Sequence, residues 1–179
     1  MKPALAKAAG HVVSKLPFDI ERLTAKILEK SHKGEGGRRL LLRYYHKGRM
    51  DKPVKFFIPV TEIERALAAS TLTEYLNNYL DLNKEKIVYP EEGTRSLPGS
   101  LAQFFEGVLV GCPDNISWVE LNLTNYPTDT IGVRVVRGEK YQDGWVPAVH
   151  VTQHDIDECY NLGMNWVRSV LQKLDKGIA

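Results

Sequence analysis

Apolar residues recur along this chain with two periods, and the alternation between them lays out the fold. Leu5, Ala8, Val12 and Leu16 return at helical spacing, so an amphipathic helix opens the chain. After Pro17, the stripe Ile20, Leu23, Ile27 and Leu28, with Asp19 placed as a cap, predicts a second helix to about Ser31. Glycines at Gly34, Gly36 and Gly37 close it. The period then drops to two. Arg39–His46 and Val54–Pro59 alternate as strands and read as an antiparallel hairpin with a long basic tip.

Thr61 and Glu64 have the spacing of a capping box, which predicts one helix from about Glu62 to Leu80. Residues 81–99, rich in Pro and Gly, predict a long loop or a short edge strand. Ser100 is placed as the cap of a strongly apolar helix carrying Leu101, Phe104, Phe105, Val108 and Leu109. Period two returns in Trp118–Thr124, Thr130–Arg137 and Trp145–Val151, a three-stranded meander whose last turn spans Gly138 to Gly144. Thr152 and Asp155 repeat the capping-box pattern. They open a helix from about Gln153 to Lys173 whose stripe (Ile156, Tyr160, Met164, Val167, Leu171, Leu174) is expected to pack on the meander. Hairpins beside helices without βαβ alternation predict an α+β fold. The expectation is one domain over residues 1–179, with a mainly antiparallel sheet and about five helices.

Composition narrows the function classes. A 43% hydrophobic and 26% charged chain of 179 residues is an ordinary globular protein. No apolar run approaches the roughly 18 residues of a membrane span, so no membrane partner is expected. Two cysteines, Cys112 and Cys159, are too few for a disulfide framework; reduced thiols and a cytoplasmic setting are the expectation. The lysines at Lys2, Lys7 and Lys15 faintly resemble a transit peptide, but the plain amphipathic helix fits better. Without a secretory signal, the sequons at Asn115 and Asn122 carry no weight.

Charge changes the picture more. The net +2 conceals 14 Lys/Arg against 5 Asp/Glu in Met1–Val60, and the reverse excess thereafter. Alternation in the hairpin places Arg39, Arg43, Tyr45, Lys55 and Phe57 on the face opposite Leu40, Leu42, Tyr44, Phe56 and Ile58. Lys47, Arg49 and Lys52 add charge at the tip, and Arg38 at the entrance. Cations contact phosphates and exposed aromatics stack on bases, while a two-stranded ribbon fits a major groove. These nine residues predict a noncatalytic nucleic-acid-binding or accessory protein, or one with another anionic partner.

A solvated edge that discourages strand pairing is the bland counterpart. The rival class is a protein-interaction or regulatory subunit, using the Leu101–Leu109 helix or the aromatics Tyr126, Tyr141 and Trp145. No catalytic or cofactor motif is present. Gly34-Glu35-Gly36-Gly37 lacks the Lys-Ser/Thr of a P-loop. His150, His154 and Cys159 do not have zinc spacing. Pro113-Asp114 with Glu120 resembles a nuclease motif, but Asn122 stands where its lysine would be.

Overall fold

A computed structural model describes residues 1–29, 37–48, 52–87 and 96–176. The protein is α+β: one six-stranded antiparallel sheet in the order β3-β2-β1-β4-β5-β6, with helices on one face. The strands are β1 (Ile20–Leu28), β2 (Arg39–His46), β3 (Val54–Pro59), β4 (Trp118–Asn122), β5 (Thr130–Arg137) and β6 (Lys140–Pro147). The helices are α1 (Pro3–Val13), α2 (Val60–Ala68), α3 (Leu72–Leu82), α4 (Gly99–Gly111), α5 (Val149–Thr152) and α6 (Ile156–Asp175).

The largest departure from the sequence expectation is β1. Ile20–Leu28 is a strand, and it is central, pairing with β2 on one side and β4 on the other. Its apolar spacing satisfies both periods, because Leu23, Ala25 and Ile27 also alternate. Pairing on both sides decides for the strand, and a register shift between Ile20 and Arg22 absorbs the odd residue. Asp19 caps no helix; its carboxylate meets His46 Nδ1 at 3.2 Å and its carbonyl accepts the Lys47 N–H at 2.9 Å. Hairpin and meander thus become one sheet, joined through β1.

Smaller corrections follow the same logic. The single helix expected over Glu62–Leu80 is two, α2 and α3, divided at Ser70 (φ +57°). Neither proposed capping box forms a side-chain cap; Pro59 and Asp155 are the N-caps of α2 and α6. Pro98, in place of Ser100, caps α4. β6 begins at Lys140, directly after a tight turn at Gly138 (φ +64°), so the meander's last loop is far shorter than expected. His150 and Val151 lie in α5. The described parts of 81–99 hold a 3-10 turn at Lys84–Lys86 and a bridge between Pro17 and Ser96.

One core fills the space between sheet and helices. α4 is apolar around most of its circumference because α1 and α6 pack on it within the common core, and Gln103 and Glu106 are its half-buried polar positions. The α6 stripe packs mainly on α4 and only secondarily on β6, which corrects the expectation of a direct seat on the meander. Gly107 of α4 and Gly163 of α6 make this approach possible, since a Cβ on either would collide with the other helix's backbone at Tyr160 or Phe104. Both cysteines are free and buried, and burial pushes the Cys112 thiol up to about 12. No helix among the described residues is long and apolar enough to cross a membrane.

Candidate nucleic-acid interface

All described helices sit on one side of the sheet, and no described element lies over the other. Strand register determines what that open face displays. Side chains alternate, so Arg39, Leu41, Arg43 and Tyr45 on β2 stand opposite the core residues Leu40, Leu42 and Tyr44. On β3, Lys55 and Phe57 share that open side, while Phe56 and Ile58 are fully buried. The hairpin residues Arg39, Arg43, Tyr45, Lys55 and Phe57 therefore fall where alternation put them.

The strand identity of β1 extends this surface across the whole sheet. Arg22, Thr24 and Lys26 pair with Tyr45, Arg43 and Leu41, and so join the open face. β4 adds Glu120 and Asn122 opposite Thr24 and Arg22. On β5, Arg134 lies opposite Glu120; on β6, Asp143 faces Arg134, with Tyr141 and Trp145 to either side. Tyr141 and Trp145 are 53% and 64% exposed, rare values for large aromatics, and their undersides rest on the sheet. The helix expected up to about Ser31 gave Arg22 and Lys26 no place on this surface. The signal that finds them is the Arg22–Thr24–Lys26 alternation.

Charge on this face is uneven. On β1–β3, Arg22, Lys26, Arg39, Arg43 and Lys55 meet no carboxylate of their own three strands. Arg22 Nε reaches across to Glu120 at 3.7 Å, and Arg43 Nε donates to Thr24 Oγ1 at 3.2 Å. Lys26, Arg39, Arg43 and Lys55 have no acidic partner among the described residues. On β4–β6, Arg134 is held bidentately by Asp143, at 2.7 and 3.0 Å, and that bond raises its pKa further. Guanidinium groups also lie over rings: Arg39 over Phe57 at 5.0 Å, Arg22 over Tyr45 at 5.9 Å, Arg134 over Tyr141 at 4.5 Å.

The remaining candidates fall elsewhere. Arg38, one residue before Arg39, takes the opposite side. Its Nε lies 3.5 Å from Glu29 Oε2, and it lines a depression at the sheet end with Leu109 and Cys112, so it leaves the proposed surface. Lys47 and Lys52 are exposed at the tip. Arg49 and most of the glycine-rich segment lie outside the described residues. The apolar α4 residues Leu101, Phe104, Phe105, Val108 and Leu109 are buried, which removes them as an interaction surface, and Tyr126 is half-buried. Cys159 is buried, with its thiol donating to the Val151 carbonyl at 3.3 Å, whereas His150 and His154 are exposed with their rings 6.3 Å apart; among the described residues the three do not group as metal ligands. Asp114 and Glu120 line separate depressions. No protein-family model, curated protein or solved structure matches this chain.

Proposed function

We propose that this protein is a noncatalytic nucleic-acid-binding protein that lays a single strand across the open face of its sheet. The observation that carries the reading is the coincidence, on a face that no described element covers, of cations without acidic partners among the described residues and exposed aromatic rings. Cations on β1–β3 suit phosphates, and the rings on β6 suit bases. Width favours a single strand over a duplex. Six strands at about 4.8 Å spacing make a surface roughly 24 Å across, twice the roughly 12 Å of a major groove that admits only a ribbon. A single strand has no such limit, because its bases splay onto a flat platform.

Anisotropy titrations with labelled single-stranded and duplex oligonucleotides at two salt concentrations test this. The single strand is expected to bind more tightly, with a log–log salt slope of about −0.7 per phosphate neutralised. Replacing Arg39, Arg43 and Lys55 together by Ala should flatten that slope by about two units. Absence of binding at low salt, or a triple variant that binds like wild type, would overturn the reading.

A further inference from the structure

Within the open face, β4, β5 and β6 enclose a depression of about 130 Å³. Two cross-strand rows form it: Asn122–Gly132–Trp145 and Glu120–Arg134–Asp143. Gly132 is its floor. A Cβ there would stand 3.2 Å from Asn122 Cβ and 3.4 Å from Trp145 Nε1, so any side chain would fill the gap between amide and indole. Trp145, 64% exposed, forms the wall.

The polar groups are already sorted by the bonds they make. Arg134 spends its fork on both Asp143 oxygens. Asn122 Oδ1 accepts the Thr124 N–H at 2.9 Å, which leaves the Asn122 NH₂ as the free end of that amide. Glu120 has an ion-pair contact with Arg22 at 3.7 Å and no hydrogen bond among the described residues, so its carboxylate retains acceptor capacity. The site therefore offers a carboxylate acceptor beside an amide donor, against an aromatic wall. Two carboxylates flank a single engaged guanidinium, which disfavours phosphate here, in contrast to β1–β3.

We infer that this depression is a guanine subsite. Guanine alone among the common bases presents two adjacent N–H donors, N1–H and N2–H₂, beside a carbonyl acceptor, O6. Glu120 accepts from the first two, Asn122 Nδ2 donates to the third, and Trp145 stacks on the ring. Uracil and cytosine offer no such donor pair, and adenine offers one donor beside an acceptor. This assignment rests on the single-strand reading above: phosphates track the cations of β1–β3 while one base enters the pocket.

The test compares an all-uridine oligonucleotide with the same oligonucleotide carrying one central guanosine, inosine or adenosine, by anisotropy at fixed salt. Guanosine is expected to tighten binding about tenfold or more, the range of a good bidentate base contact. Inosine, lacking the N2 amino group, should recover only part of that gain, and adenosine no more than the stacking share that any purine finds on Trp145. Glu120→Gln and Trp145→Ala should each remove the guanosine preference. Lys26→Ala should weaken the uridine and guanosine oligonucleotides equally. Equal affinity of wild type for the two oligonucleotides overturns the guanine subsite and leaves the open-face reading standing, a result that needs no variant to fold. Failure to bind either overturns both. Binding of an arginine-rich peptide that depends on Glu120 and Trp145, without guanosine preference, also overturns the subsite and assigns the pocket to a protein partner.

Discussion

Ser70 is one of the places where a single residue redirects the chain. Its N–H reaches the Leu67 carbonyl at 3.0 Å, and the Thr71 N–H reaches Ala66 at 2.8 Å, the paired bonds of a glycine-type helix stop. Nothing in Ala68-Ala69-Ser70-Thr71 signals a break, which is why apolar spacing alone ran α2 and α3 together. A left-handed L-residue costs about 1–2 kcal/mol, partly offset in glycine by greater freedom of the unfolded chain. Ser70→Gly should therefore raise stability by about 0.5–1 kcal/mol in denaturant melts; a loss would mean that the serine side chain holds the turn. Glu106 on α4 presents the opposite case. Its carboxyl is half-buried over Gly10 of α1, and burial raises its pKa above the usual carboxylate range, with Lys7 opposing. The native state then holds that proton more tightly than the unfolded chain. Its contribution is fully present below the ordinary carboxylate pKa and is lost as pH rises through the raised value. Glu106→Gln should melt higher than wild type near neutral pH and match it in acid. A difference that does not change with pH would rule out this origin.

At the scale of elements, periodicity located the hairpin strands and the first two strands of the meander, set the third too late along the chain, and misassigned β1, because Ile20, Leu23 and Ile27 satisfy a helix as well as Leu23, Ala25 and Ile27 satisfy a strand. The partners that decide between them, Arg39–His46 and Trp118–Asn122, lie far along the chain. The seat of α6 was hidden for a different reason. Glycine carries no hydrophobic signal, yet Gly107, Gly111 and Gly163 are what bring α4 and α6 into backbone contact. In an isolated helix, Gly→Ala gains about 1 kcal/mol. Here a Cβ on Gly163 meets the Phe104 carbonyl, backbone that cannot swing away. Overpacking should win, so Gly163→Ala is expected to cost about 1–3 kcal/mol in denaturant melts. A stabilised variant would show that the two helices are not in close contact.

For the whole molecule, sequence alternation was enough to bring Arg39, Arg43, Tyr45, Lys55 and Phe57 onto one face. It could not show that this face continues across six strands, since that depends on β1 joining hairpin to meander. It also could not tell free cations from neutralised ones. Arg134 looks as basic as Arg43 in the sequence, but Asp143 holds it through two hydrogen bonds, whereas Arg43 donates to the Thr24 hydroxyl and meets no carboxylate among the described residues. Lys26 was placed on a helix and instead stands on the open side of β1, opposite Leu41. These assignments separate in one measurement. Counterion release counts only charge that the ligand newly neutralises, at about 0.7 slope units per contact on a single strand. Lys26→Ala and Arg43→Ala should each flatten the salt dependence of single-strand binding by about that amount. Arg134→Ala should leave the slope unchanged, because its charge is already met within the protein. Equal slopes for Lys26→Ala and wild type would confine binding to the hairpin, and a flattened slope for Arg134→Ala would show that the ligand displaces Asp143.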